Sequence, residues 1–249
     1  MAAPGSPEQQ PLIDIAALYA SKVTPVTKVI VESGANLKAE KDMNIMAVTD
    51  MKLSSSVVSP GLSINYVNVD SDTSVEIKSG SKLAAKNLEV DALTNLQLTT
   101  GNKVSAVLNQ GISNLLGITD KNKMANVGVS YIANTISNKA IIENNVDLTG
   151  VTDSLKLNAT TLSYHKDSAQ NGAIPILDKN RTAIGAIVDV KKTNITNEAK
   201  LYSNVNVNNE LEVNAYYKGN IISSADAYCG GGNDGLSWAL QDYVSGLHL

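Results

Sequence analysis

One alternating triplet recurs four times in this chain, as Met43-x-Ile45-x-Ala47, Leu88-x-Val90-x-Ala92, Leu155-x-Leu157-x-Ala159 and Leu211-x-Val213-x-Ala215. Period-two alternation puts the three apolar side chains on one face of a strand. Ten to thirteen residues ahead of each triplet stands another apolar position, at Val31, Ile77, Ile142 and Leu201, and just after it comes a polar turn. The turns read Glu32-Ser33-Gly34-Ala35-Asn36, Lys78-Ser79-Gly80-Ser81 and Glu143-Asn144-Asn145. Asn and Gly suit such corners because they tolerate positive φ. The triplets begin 45, 67 and 56 residues apart. The first two intervals divide into units of about 22 residues, a solenoid-like period, and the third requires a longer unit. A single coil cannot bury its inward face, so neighbouring coils must stack and share one core. The pattern therefore predicts an all-β fold, a parallel β-solenoid (β-helix) with coils of about 22 residues.

Composition agrees with narrow coils. Hydrophobic residues make up 43% of the 249 residues, yet only 4% are aromatic and Phe is absent, so the core must be built from Val, Ile, Leu and Ala. The net charge of −4 and the single arginine, Arg181, give no basic footprint for nucleic acid. Cys229 is the only cysteine, so no intrachain disulfide can form.

Three segments break the strand pattern. Residues 12–21, 102–120 and 236–248 carry apolar residues at helical spacing, and are expected to form a short N-terminal helix, a helical excursion and a C-terminal amphipathic helix. The terminal helices would cover open sheet edges. The organisation that follows is a leader or expression-derived segment at 1–25, a β-solenoid at 26–228 with its helical insertion at 102–124, and a Gly-rich hinge with a terminal helix at 229–249. The first ten residues lack the basic and apolar regions of a signal peptide. The longest charge-free runs, near 104–119 and 125–138, are too short and too polar to span a bilayer.

The run Val127-Gly128-Val129-Ser130-Tyr131-Ile132-Ala133-Asn134-Thr135-Ile136-Ser137-Asn138-Lys139-Ala140-Ile141-Ile142-Glu143-Asn144 resembles the repeat of fusobacterial leukotoxin and related filamentous-haemagglutinin-like secreted exoproteins. A second copy begins at Ile184-Gly185-Ala186-Ile187 and runs on through Ile195-Thr196-Asn197, with a Gly-to-Ile spacing two residues longer. The resemblance implies an internal fragment of a secreted or surface-bound bacterial cytotoxin or adhesin. Its export partner would lie in the outer membrane, and its target would be a host cell-surface protein or glycan. The stretch from Val127 to Tyr217 is the expected binding face.

No set of residues converges on chemistry, and neither a catalytic residue nor a cofactor is assigned. Ser163, His165 and Asp167 share one strand face, but linear spacing supplies neither a nucleophile held against its base nor an oxyanion hole. A solvated face is the expectation. Asp70 and Asp72 are the acids that a carbohydrate-active β-helix enzyme, the alternative function, would use, although an exposed acidic turn fits them better. An antigen assembled from exoprotein pieces is a further alternative. Cys229-Gly230-Gly231-Gly232-Asn233-Asp234-Gly235-Leu236 matches a calcium-binding nonapeptide except at its first position, making Asp234 the one metal candidate. Bound ions in such motifs are shared between successive copies, and a lone copy reads better as a hinge. Lys191-Lys192 and Lys121-Asn-Lys123 read as solvated turns. Asn158, Asn180 and Asn194 head glycosylation-type triplets that chance supplies in an Asn- and Thr-rich chain.

Overall fold

Alternating aliphatic and polar residues, rich in Val, Ile and Thr, favour long pleated strands, and the chain is built almost entirely from them. The computed structural model describes residues 16–59, 61–104, 123–173, 182–229 and 236–248. The strands are β1 (Ala16–Val23), β2 (Val26–Val31), β3 (Asn36–Lys38), β4 (Asp42–Ser59), β5 (Leu62–Ile77), β6 (Lys82–Val104), β7 (Lys123–Ile142), β8 (Asp147–Ala173), β9 (Thr182–Leu201), β10 (Glu210–Cys229) and β11 (Leu236–His248). They form two sheets in which every pairing is parallel. Sheet A runs β1-β5-β7-β9-β11, with β2 also on β5. Sheet B runs β10-β8-β6-β3, with β4 also on β6. From β4 onward, successive strands alternate between the sheets, so each pairs with the strand two elements later.

The sequence anchors stack directly on one another. Met43 pairs with Leu88, Leu88 with Leu155, and Leu155 with Leu211. In sheet A, Val31 pairs with Ile77, Ile77 with Ile142, and Ile142 with Leu201. The expected 22-residue coil is not the pairing interval, because the partners lie a whole triplet separation apart. An interval near 22 is one strand plus its corner, half of a circuit through both sheets. The two edges of the circuit also differ. From a sheet A anchor to the next triplet the chain always takes 10–13 residues. On the return, Ser59 to Leu62, Val104 to Val127 and Asn171 to Ala186 are equivalent steps of very unequal length.

Two of the three expected helices are replaced by strands. Residues 16–23 form β1, and residues 236–248 form β11, which extends sheet A beyond β9 instead of capping an edge. A helix-like apolar spacing loses here to the ladder of backbone hydrogen bonds that a waiting parallel neighbour offers. Residues 12–15 lie outside the described residues. Of the expected excursion, 102–104 are the end of β6 and 105–122 lie outside the described residues.

The constant edge is held by a column of positive-φ corners: Gly34 (φ 79°), Gly80 (φ 80°) and Asn145 (φ 57°). Gly34 N–H donates to Gly80 O at 3.2 Å, and Gly80 N–H to Asn145 O at 3.0 Å. Lys78 caps this column by pairing with Glu76 at 2.6 Å and Glu143 at 2.9 Å. Next to the corner, an apolar block of Val75, Ile77, Leu88, Val90, Ile142, Leu155 and Leu157 fills the space between the sheets. Beyond it lies a belt of buried hydroxyls and amides. Thr49 meets Thr73 at 2.6 Å, Thr73 meets Thr94 at 2.9 Å, Thr94 donates to Asn138 at 2.6 Å, and Asn138 donates to Asn197 at 2.9 Å. A second apolar block follows, made of Met51, Val67, Val69, Leu96, Leu98, Ile132, Ile136 and Ile195. A polar row containing Ser63, Asn65, Thr100 and Asn102 comes next, with Val104 buried beyond it.

Gly128 clarifies the two resembling copies. It pairs with Ile187 and not with Gly185, while Ile136 pairs with Ile195. A Cβ at 128 would lie 2.6 Å from Ile187 Cδ1, so the glycine makes room for an isoleucine in the next circuit. The extra two residues between Gly185 and Ile195 are thus a matter of which residues are compared, with the ladder itself unbroken.

Candidate functional site

Parallel in-register pairing repeats each interior slot from circuit to circuit, so a change of residue type within a column stands out. The slot of Leu98 becomes His165 in β8, and that of Thr100 becomes Asp167. In sheet A the slot of Ser130 becomes Asp189 in β9, and that of Ile132 becomes Lys191. These replacements fall in one circuit and face one another across the interior. Among the described residues, Asp167, Asp189 and Lys191 are the buried ionic side chains; Lys191 is 2% exposed and Asp189 0%.

Lys191 Nζ lies 2.7 Å from Asp167 Oδ2 and also bonds Asp189 Oδ2 and Ser223 Oγ. Thr100 Oγ1 donates to Asp167 Oδ1, and Ser223 Oγ donates to Asp189 Oδ2 at 3.3 Å. The Asp167 Oδ2 contact with Lys191 is close but lacks hydrogen-bond alignment, and Asp189 Oδ1 has no partner among the described residues. One ammonium cannot neutralise two carboxylates that are both buried beside it. Burial first, and then the neighbouring Asp167 carboxyl, push Asp189 up to about 6 against the opposing pull of Lys191. His165 completes the cluster. Burial, reinforced by the Lys191 charge and opposed by Asp167, holds it down at about 4. A neutral ring is what the contact with Asn134 requires, since the Asn134 amide donates to His165 Nε2 at 3.4 Å.

Ser163, His165 and Asp167 do share a face, but that face is inward, and all three are buried, contrary to the solvated surface expected. They do not assemble a triad, because Ser163 Oγ has no hydrogen-bond partner among the described residues and the imidazole faces Asn134. Lys191 likewise corrects the expected solvated turn. It sits mid-strand with its ammonium inside, while Lys192 points outward into solvent. The phase was readable from the alternation Ile187-x-Asp189-x-Lys191-x-Thr193-x-Ile195, in which the charged positions share the parity of the core isoleucines.

The remaining candidates are scattered. Asp70 and Asp72 lie in the middle of β5 on its outer side, not in a turn, and Asp72 pairs with Lys28 of β2 at 3.6 Å. That lysine was invisible to a search of nearby sequence. Asn158 forms a rung of a ladder across the outside of sheet B, donating to Asp91 at 2.8 Å and accepting from Asn214 at 3.2 Å. Asn194 is half-buried on the outer side of β9. Asn180, Arg181 and the metal candidate Asp234 lie outside the described residues, and Cys229 ends β10. Among the described residues no group of three or more His, Cys, Asp or Glu could hold a metal ion. No helix there is long and apolar enough to cross a membrane.

The outer faces carry rows of like or complementary side chains. Tyr66 and Tyr131, paired across β5 and β7, stack with centroids 5.6 Å apart and planes 8° from parallel. On sheet B, a recess of about 310 Å³ is lined by Asn95, Gln97, Tyr164, Lys218 and Asn220 from three adjacent strands. Comparison of the chain with protein-family models, curated proteins and solved structures yields no match.

Proposed function

We propose that the protein is a non-enzymatic length of parallel β-solenoid belonging to a secreted bacterial adhesin or cytotoxin of the leukotoxin and filamentous-haemagglutinin type. Its outer strand faces bind a protein or glycan of the host-cell surface. The observation that carries this reading is the repetition of outward side chains in register across adjacent strands. It makes an extended surface of amides, hydroxyls and tyrosines around the Tyr164 recess. Tyrosine combined with several amides suits sugar hydroxyls or an extended peptide, since the ring supplies apolar area and the amides supply directed hydrogen bonds. The stacked anchors support the solenoid, with a circuit of two long strands and two corners.

The test is binding of fluorescent protein to mammalian cells and to a glycan panel. Saturable binding that falls several-fold in the double variant Tyr164→Ala, Asn220→Ala is expected. Absence of saturable binding, or binding indifferent to that variant, would reject the recess as the contact surface.

A further inference from the structure

We propose that Lys191 and Asp167 condense into an intramolecular amide bond that covalently joins sheet A to sheet B, with Asp189 as the proton carrier. The three groups are already in place. The amine nitrogen lies 2.7 Å from Asp167 Oδ2, so Cγ of that carboxyl is no more than one carbon–oxygen bond further. Two strands of different sheets hold the partners, with their side chains closed off from solvent. Such fixed juxtaposition supplies the effective concentration that amide formation in water lacks.

The chemistry balances without an oxidant or an external reactant. A proton leaves the Lys191 ammonium for Asp189, and the freed Nζ lone pair attacks Asp167 Cγ. The new C–N bond forms as a C–O bond of Asp167 breaks. Asp189 returns its proton to the departing oxygen, a second proton from nitrogen follows, and one water leaves. An ammonium and a carboxylate become a neutral amide, with no net change in electrons. Asp189 is suited to the task because it contacts the ammonium, because its Oδ1 has no other partner among the described residues, and because its raised pKa lets it hold a proton near neutral pH. Thr100 Oγ1, donating to Asp167 Oδ1, polarises the same carboxyl in the direction the attack requires.

The energetic argument points the same way. A buried ion pair is expensive because desolvation opposes its Coulomb attraction, and a second carboxylate makes this one worse. Condensation removes the ammonium and the Asp167 carboxylate from the interior, and Asp189, its borrowed proton returned, keeps its hydrogen bond from Ser223. Among the described residues the other ionisable group facing the site, His165 of β8, is held neutral and does not compete for the proton. The surrounding hydroxyls and amides, from Ser130 and Asn134 of β7 and Ser223 of β10, are uncharged. A chain with one cysteine has no intrachain disulfide, and this bond closes the loop from 167 to 191 by other means.

Intact-mass spectrometry of the full chain, denatured after purification, tests the proposal directly. The expected result is a mass lower than the sequence mass by one water. Trypsin should then release peptide 167–179 joined to peptide 182–192, with no cleavage after Lys191. Lys191→Arg should restore the full mass. Asp167→Asn keeps an electrophilic carbonyl and should lose ammonia instead, ending at the same mass as the cross-linked parent. Asp189→Asn should slow or stop the reaction. A folded parent chain that keeps its full mass after prolonged incubation at both pH 6 and pH 7.5 overturns the proposal, as does a water loss that survives Lys191→Arg. The parent measurement needs no variant to fold, so a collapsed variant does not rescue the idea.

Discussion

The interior beside the constant corner and the interior at β8 and β9 obey the same stacking rule but use it differently. Beside the corner, each column repeats itself: Leu88 lies between Met43 and Leu155, and Ile77 between Val31 and Ile142. Farther along the same strands, Leu98 gives way to His165, Ile132 to Lys191, Thr100 to Asp167 and Ser130 to Asp189. The earlier circuits fold without ionic side chains in these slots, so the fold does not require them. They are an addition to one circuit, and their stability cost invites a functional explanation.

Lys191→Met should do the most damage, about 3–5 kcal/mol by denaturant unfolding, because it strands Asp167 and Asp189 without a cation. A loss near zero would mean that the ionic group contributes nothing to the packed interior, and the contrast would collapse. Leu155→Ala, in the apolar column, should cost about 3 kcal/mol through lost burial and a residual cavity. The triple replacement Asp167→Thr, Asp189→Ser, Lys191→Ile copies the slots of the preceding circuit. If those charges are an addition, this variant should be as stable as a non-cross-linked parent or about 1–2 kcal/mol more stable. Marked destabilisation would instead make the charges part of the folding code.

Acid sharpens the comparison. His165 is depressed in the folded chain, so between its ordinary value near 6.5 and about 4 the unfolded chain binds a proton that the folded chain does not. Its contribution to stability is therefore lost as pH falls through that window. Asp189 is raised to about 6, so from there down to its ordinary value it works in the opposite direction and is stabilised by acid. The two partly cancel in the parent protein. His165→Gln keeps a group for Asn134 to bond and removes one of them; relative to it, the parent should lose about 2 kcal/mol between pH 7.5 and pH 5. Parallel pH profiles for the two proteins would contradict the buried, neutral imidazole. Gly80→Ala should cost about 1 kcal/mol, because it forces a Cβ into a positive-φ corner 3.1 Å from Ser33 Oγ.

Much of the ladder was legible in the sequence because both sets of anchors lie on one side of the circuit. The 10–13 residues that join Val31 to Met43, or Ile142 to Leu155, form a corner whose backbone hydrogen bonds leave little freedom of length. The triplets therefore identify true neighbours. The period failed because most of the variation in length sits on the other side, between Ser59 and Leu62, Val104 and Val127, and Asn171 and Ala186. Terminal strands β1 and β11 were missed because their apolar spacing fits a helix as well as a strand, and only a parallel neighbour decides. The ionic cluster was missed because Asp189 and Lys191 are ordinary surface residue types. Their burial is set by strand phase, and their partner Asp167 arrives from the opposite sheet.

The unequal return edge also bears on descent. Where Ser59 reaches Leu62 in a single short step, its counterpart Val104 needs the whole of 105–126 to reach Val127, yet both pairs rejoin the same register. Chain length is thereby uncoupled from phase, and lengthening an already long connection adds little closure entropy. Mutational insertion and deletion can act on that side without shifting a single core residue to the wrong face. It is the natural place for lineages to diverge and for a foreign epitope to be grafted, while the glycine and asparagine column opposite keeps count of the strands.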